Sequence, residues 1–172
     1  MKPRSARYVR RWAALHMRKS FALIATLFLV ACGVQSEDAL RQQFTEYKST
    51  IRQILEMQDQ DTKVVRIAPT FTRLENDWSW PRKDIGFSAE RWDRYKSLFE
   101  KAHITDGIQK DGKYVWYFVS SKGLSIGGTS RGFVYTKISP QPLVRRFEDC
   151  PNPERICYIA LEENWYLFEW VT

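Results

Sequence analysis

The sequence predicts an α+β fold, with two helices packed on one face of a mainly antiparallel, meandering sheet of about five strands. Two stretches in the first two thirds of the chain repeat apolar residues every three or four positions, which is the period of a helix with one buried face. The last third instead alternates short β-rich runs with glycine-containing turns, which is typical of antiparallel hairpins. Helices and strands that are segregated along the chain favour α+β over an alternating architecture.

The first apolar segment of the chain is short and follows two cations. Arg18-Lys19 precede a run from Phe21 to Val30 in which Thr26 is the one polar residue, and small residues then lead to Cys32. A membrane-spanning helix needs roughly 20 apolar residues, so this run predicts a secretory signal peptide. The alternative is a buried helix of an unprocessed cytoplasmic protein, but such a helix would carry a broader polar face.

Leu29-Val30-Ala31-Cys32 resembles the lipobox of bacterial lipoprotein precursors, and the resemblance covers residues 17–33 only. It implies that residues 1–31 are cleaved off, and that Cys32 becomes the first residue and carries a covalent lipid with acyl chains such as palmitate. The leader before Met17 is long and basic, so Met17 is an alternative start. Gly33, rather than Asp, implies sorting to the outer membrane, with the mature chain facing the periplasm.

Charge and length describe the part that remains after cleavage. Removal of 31 residues from 172 leaves 141, which is enough for one domain. We predict a polar tether over residues 32–38 and a single globular domain over residues 39–172. Seven of the 27 basic residues and none of the 20 acidic residues lie in the leader, so the mature side chains hold 20 of each. This balance excludes the basic footprint of a nucleic-acid-binding protein.

Both helices are predicted to be amphipathic. The first spans about residues 37–58 and begins after Ser36, a residue type that caps helices. The second begins at Ser88 and ends by Asp106-Gly107. The stripe on the first helix is too short for a coiled coil, so packing on the chain's own sheet is preferred over a partner helix. The two apolar faces consist of Leu40, Phe44, Tyr47, Ile51, Ile54 and Leu55, and of Trp92, Tyr95, Phe99 and Ala102.

The first predicted strands are defined by breaks in the sequence. Val64–Ala68 is a short β-rich run that stops at Pro69. Later, Asp111-Gly112 and Lys122-Gly123 divide apolar runs in the way that hairpin turns do. Between these turns, Tyr114–Val119 is apolar on both faces, which indicates a central strand.

The remaining strands close the chain. Ser125–Gly132 predicts a flexible turn or bulge, because a phosphate-binding loop would end in Gly-Lys-Ser/Thr and open a helix. Instead, the strand-like run Phe133–Ile138 follows. A final pair of strands, Ile156–Leu161 and Trp165–Val171, is predicted to turn at Glu162-Glu163-Asn164.

Thr70–Phe87 is the segment whose structure the sequence predicts least. It contains Trp78, Trp80 and Arg82 in a polar, proline-bearing stretch. Exposed aromatic rings stack on sugars or on peptides, so these three residues are the candidate binding residues. In the alternative, which we favour, both indoles fill the edge of the core, since tryptophan buries a large area in small domains.

The cysteines separate into one lipidation site and one pair. Cys150 and Cys157 are predicted to form a disulfide, because an exported protein folds in an oxidising compartment. Free thiols or a metal site are the alternatives, but a metal would need further Cys or His ligands. The mature part has one histidine, His103. The sequence therefore predicts no metal, and no cofactor besides the lipid on Cys32.

No set of residues in the exported part indicates a particular reaction. A Ser-His-Asp set would depend on His103, which is expected to be an exposed residue at a helix end. The sequence favours a non-catalytic binding or interaction role in the envelope, as an accessory, immunity or inhibitor protein. Its expected partners are the membrane, through the lipid, and a protein or cell-wall component. The alternative is a lipid-tethered cell-wall hydrolase, whose carboxylates the fold would have to place.

Overall fold

The described residues form two α-helices and eight β-strands. The computed structural model describes residues 33–75, 77–124, 127–151 and 156–172, with the backbone alone at positions 78, 79, 83 and 124. The predicted signal peptide and Cys32 lie outside the described residues. The helices are α1 (Glu37–Gln60) and α2 (Ala89–Lys101), and the strands are β1 (Val64–Ile67), β2 (Thr72–Leu74), β3 (Asp77–Ser79), β4 (Gly107–Asp111), β5 (Tyr114–Leu124), β6 (Gly127–Tyr135), β7 (Ile156–Glu162) and β8 (Trp165–Val171).

All eight strands belong to one antiparallel sheet with the order β3-β2-β1-β4-β5-β6-β8-β7. The predicted α+β class is confirmed, whereas the predicted count of about five strands is wrong. The additional strands include β2 and β3, which lie in the segment for which no strand was predicted. The order also departs from a simple meander, because β8 lies between β6 and β7.

Both helices pack on the same face of the sheet. Their predicted apolar faces are buried, and they form one core together with alternate residues of the central strand β5. Ser36 and Ser88 cap the two helices as predicted, each accepting a hydrogen bond from the backbone N–H three residues on. The largest fully buried side chains in this core are Tyr95, Tyr117, Phe87, Phe99 and Phe133.

Asp61 joins the two helices at the point where α1 ends. Its carboxylate accepts hydrogen bonds from the Arg91 guanidinium at 2.9 Å and from the Tyr95 hydroxyl at 2.8 Å. Burial, followed by the hydrogen bond to Asp61, raises the pKa of the Tyr95 hydroxyl, which therefore remains a donor at neutral pH. This joint could not be predicted from the sequence, because Asp61 lies 30 residues before Arg91 and 34 residues before Tyr95.

Glu162 ties the last hairpin to α1. Its carboxylate accepts hydrogen bonds from Lys48 and from Arg52, the latter at 3.1 Å. Burial raises the pKa of this carboxyl, but the two cations outweigh it and hold the pKa below its ordinary value. Glu162 was predicted to lie in a turn, but it is the last residue of β7 and is ion-paired with both cations.

A second apolar cluster lies on the face of the sheet opposite the helices. It consists of Trp116, Phe118, Val134, Tyr158 and Phe168. Val115, Tyr117 and Val119 of the same strand β5 face the helices instead. The prediction that this run is apolar on both faces and central in the sheet is confirmed.

The β5–β6 hairpin is longer than predicted. Lys122-Gly123 was expected to turn but belongs to β5, and Gly127–Gly132 was expected to be a turn or bulge but belongs to β6. Pairing continues outward as far as Leu124 opposite Gly127, with a register shift between Phe118 and Ser120. The hairpin therefore extends well beyond Gly107, the residue at which β4 begins.

The outer edge of β7 is covered by the segment that precedes it. Val144 donates its backbone N–H to the carbonyl of Tyr158 at 2.8 Å, and Tyr158 donates to the carbonyl of Pro142 at 3.1 Å. Leu143 and Tyr158 form the resulting parallel bridge. β7 is therefore hydrogen-bonded to β8 on one side and, through Tyr158, to this segment on the other.

The predicted disulfide between Cys150 and Cys157 is confirmed and links this covering segment to β7. Replacement of both cysteines by serine should lower the free energy of unfolding by about 2.5 kcal/mol, because the bond closes a short loop of about eight residues in the unfolded chain. Urea unfolding followed by circular dichroism measures the difference. An unchanged unfolding midpoint would show that the bond does not stabilise the fold.

Candidate binding groove

The groove arises from a mismatch in strand length. Strand β4 begins at Gly107, opposite Phe118, whereas β5 continues to Leu124. Beyond Phe118 the hairpin therefore lacks β4 as a neighbour, and a recess opens on the face of the sheet opposite the helices. We call this recess the groove, and its principal lining residues are Arg66, Phe71, Asp106, Phe118, Ser121, Lys122, Ser130 and Trp170.

Two connected parts make up the groove. The inner part, beside Arg66, has a volume of about 490 Å³. The outer part, beside Lys122, has a volume of about 390 Å³. Both volumes fall in the range of small-molecule sites. The two parts share Phe118, Ser121, Ser130 and Trp170, so they form one continuous depression.

Aromatic rings form the floor of the groove. Phe118 packs edge-to-face against Phe168, with ring centroids 5.5 Å apart. Trp116 packs edge-to-face on the same Phe168 ring at 4.9 Å and lies 6.4 Å from Trp170. The rings that form this floor are packed against neighbouring rings on the same face of the sheet, and they offer an apolar surface to a ligand.

Arg66 supplies a positive charge at the inner end of the groove. Its guanidinium lies over the Phe118 ring, 4.4 Å from the centroid, and Nη2 donates to the carbonyl of Asp106 at 2.7 Å. Nη1 is buried and has no hydrogen-bond partner among the described residues. Burial lowers the pKa of Arg66 to about 10, opposed by Asp106 and assisted by Arg73, so Arg66 remains protonated at pH 7.

The polar groups of the groove are few and well placed. The hydroxyls of Ser121 and Ser130 are 3.0 Å apart across the β5–β6 pair. Lys122 lies at the outer end and is exposed. Among the described lining residues, two cations therefore stand against one carboxylate, that of Asp106.

The predicted binding residues Trp78, Trp80 and Arg82 lie elsewhere, at the β3 edge of the sheet. Trp78 belongs to β3 and is paired with Arg73 of β2. Trp80 is 67% exposed, and the edge of its ring contacts Trp92 at 5.2 Å. Arg82 is exposed and paired with Asp84. The favoured alternative, in which both indoles fill the core edge, is therefore wrong for Trp80.

A second cleft lies at the start of α1, and it is the described cleft richest in acidic residues. Its volume is about 490 Å³, and its lining residues are Ser36, Glu37, Asp38, Arg131, Arg146, Phe147 and Glu148. Glu37 is ion-paired with Arg41 and Glu148 with Arg146, at 3.0 and 2.8 Å. Its charges therefore largely neutralise one another. This cleft contains carboxylates of the kind that a hydrolase would use. The hydrolase hypothesis stays a prediction.

His103 and the acidic residues do not assemble a metal site within the described part of the chain. No group of three or more His, Cys, Asp or Glu there is arranged to hold a metal ion. His103 follows the end of α2, is exposed, and packs its ring edge-on against Tyr47 at 5.2 Å. In the same described residues, neither helix has the length and apolar character needed to cross a bilayer.

The sequence did not identify Arg66, Phe118 or Trp170 as binding residues. One signal was present: Arg66 interrupts the otherwise apolar run Val64–Ala68, which is unusual for a strand. The groove itself depends on the relative lengths of β4 and β5, and these are known only when their pairing is known.

Comparison with known proteins finds no matching family model, no matching curated protein and no matching solved structure. The function is therefore inferred from the residues and geometry of this chain.

Proposed function

We propose that the mature chain is a lipid-anchored lipoprotein of the bacterial envelope that binds a partner without chemistry of its own. The lipobox-like sequence that ends at Cys32 supports the anchor, and the following Gly33 supports the periplasmic face of the outer membrane as its location. The exported body carries balanced charge, which suits a protein or cell-wall partner better than nucleic acid.

The groove is the observation that carries the binding role. It combines an apolar aromatic floor, a protonated Arg66 and a pair of serine hydroxyls in a preformed depression. Small-molecule sites are typically built in this way, from apolar walls with a few polar groups that fix orientation. Such a groove selects a ligand that has both an apolar body and an anionic group.

The exposed Trp80 provides a second contact surface, together with Arg82. A large, exposed indole on a protein surface favours contact with another molecule. Trp80 follows β3, whereas the groove is lined by residues of β1, β5, β6 and β8. We therefore assign the protein or cell-wall partner to the Trp80 surface.

Site-specific photocrosslinking in the native envelope tests this proposal. A benzophenone amino acid replaces Ser121 in the groove or Trp80 at the β3 edge, and Lys113, which is exposed in the β4–β5 turn, is the matched control position. We expect adducts from positions 80 and 121 and several-fold fewer from position 113. Equal yields at all three positions would indicate random collisions and contradict a binding role.

A further inference from the structure

Gln35 attaches the segment that precedes α1 to the β5–β6 hairpin. Its backbone N–H donates to Ser120 Oγ at 3.0 Å, and its carbonyl accepts from Arg131 Nη1 at 2.9 Å. Its side chain donates to Gln43 Oε1 at 2.8 Å, and Gln43 in turn donates to the carbonyl of Ala102. Gln35 and Ser36, within the segment predicted as a tether, are therefore part of the folded body.

The groove lies one residue pair away from this attachment. Ser120 and Arg131 are paired in the hairpin, and Ser121 opposite Ser130 is the next pair outward. The Ser121–Ser130 pair lines both parts of the groove. Neighbouring Cα atoms are about 3.8 Å apart, so the point where Gln35 is held and the wall of the groove are close together, on opposite faces of the same hairpin.

The covalent distance from the lipid to this attachment is short. Two residues, Gly33 and Val34, separate Cys32 from Gln35. An extended chain advances at most about 3.6 Å per residue, so Gln35 is held within about 11 Å of the lipidated residue. The polar headgroup region of a leaflet is itself roughly 5 to 8 Å deep. The hairpin is therefore confined near the headgroups, and the groove with it.

The chemistry of the groove matches that location. Arg66 offers a guanidinium whose Nη1 has no partner among the described residues, and Lys122 adds a second cation at the outer end. Guanidinium groups form strong, charge-assisted hydrogen bonds with phosphate. The Phe118 and Trp170 rings provide an apolar floor beside these cations. A phosphate group joined to an apolar chain satisfies both features.

We propose that the groove binds the anionic headgroup of a phospholipid from the leaflet in which the chain is anchored. Arg66 contacts the phosphate, and the Phe118–Trp170 floor contacts the adjoining apolar part of the lipid. This inference rests on the proposed lipidation of Cys32. The membrane then supplies the ligand as well as the surface to which the chain is anchored. A headgroup bound in the groove fixes the orientation of the domain on that surface.

Native mass spectrometry of the mature, lipidated chain released from nanodiscs tests this inference. The nanodiscs contain equal amounts of phosphatidylglycerol, which is anionic, and phosphatidylcholine, which has no net charge. We expect the chain to retain one phosphatidylglycerol in preference to phosphatidylcholine. Arg66→Gln should lower the retention of phosphatidylglycerol about tenfold, because it removes a charged contact to the lipid phosphate. Arg94→Gln, which removes an exposed arginine from α2, should leave that retention unchanged.

A second groove variant keeps the test decisive if Arg66→Gln does not fold. Lys122 is exposed, so Lys122→Gln should preserve the melting temperature while it removes the outer cation of the groove and reduces the retention of phosphatidylglycerol. Equal retention of the two lipids by the wild type, or unchanged retention of phosphatidylglycerol in both groove variants, would overturn the inference. A protein adduct at position 121 in the photocrosslinking experiment would also overturn it, but would leave the proposed binding role intact.

The same spectra separate the two proposals. The intact mass of the chain reports whether Cys32 carries its lipid. A chain without lipid contradicts the anchor and hence the proposed function. A lipidated chain without preference for phosphatidylglycerol contradicts the groove ligand alone.

Discussion

Replacement of Cys32 by serine should abolish labelling of the protein with radioactive palmitate and leave the uncleaved precursor in the cell. The thioether that carries the lipid requires the cysteine sulfur, and in lipoprotein precursors cleavage follows lipid attachment. Metabolic labelling followed by electrophoresis reports both effects, because the precursor is larger than the mature chain by 31 residues in the numbering from Met1.

The double variant Cys150→Ser and Cys157→Ser is the matched control for this experiment. It removes the other two of the three cysteines and keeps Cys32, so its label should be as strong as that of the wild type. Label that persists in Cys32→Ser would show that the lipid is attached elsewhere, and the anchor proposal would then be wrong.

Replacement of Gly132 by alanine should lower the free energy of unfolding by about 3 kcal/mol. Gly132 lies in β6 opposite Phe118, beside the register shift in β5. A Cβ atom there would stand 1.8 Å from the carbonyl oxygen of Tyr117 and 3.0 Å from the backbone nitrogen of Val119. Backbone atoms in a central strand cannot rotate away as a side chain can, so the sheet must distort. Urea unfolding gives the change in stability.

Gly112→Ala is the control for the effect of adding a methyl group. Gly112 has φ of +56° in the β4–β5 turn, and no other atom lies within 4 Å of an added Cβ. Only the left-handed backbone conformation is then unfavourable, at a cost of roughly 1 to 2 kcal/mol. If both substitutions lower the free energy of unfolding equally, the close approach of Gly132 to the Tyr117 carbonyl does not explain why β6 has a glycine at this position.

The helices and the central strand could be predicted because their signals are local. The apolar face of α1 repeats from Leu40 to Leu55, and Ser36 and Ser88 stand where the two helices begin. Tyr114–Val119 is apolar at every position, and its side chains enter the cores on both faces of the sheet. Local periodicity is therefore sufficient for elements that bury a regular face.

The missing strands and the wrong turn have a different origin. β2 and β3 contain three residues each, which is too few for an alternating pattern to be recognised. Lys122-Gly123 has the composition of a hairpin turn, but Gly123 is paired with Gly128 of β6. Tertiary pairing decides both cases, and a single sequence does not reveal it.

The candidate binding residues were predicted in part. Trp80 was selected by its residue type and its polar neighbours, and its side chain is exposed. Arg66 was not predicted as a binding residue, because the short apolar run around it indicates a core strand. The sequence alone does not show which face of the sheet Arg66 occupies. The groove is produced by residues from β1, β5, β6 and β8, so it exists only after the sheet has assembled.

The parallel bridge between Leu143 and Tyr158 has a consequence for chains gathered at high density on a membrane. An unpaired outer strand is a template on which a neighbouring chain can add its own strand, and such additions begin aggregation. At β7 that template is already occupied by Pro142–Val144, which the nearby disulfide keeps in place. Under the proposed anchoring, copies crowded together in one leaflet would therefore not join their sheets through this edge at Tyr158.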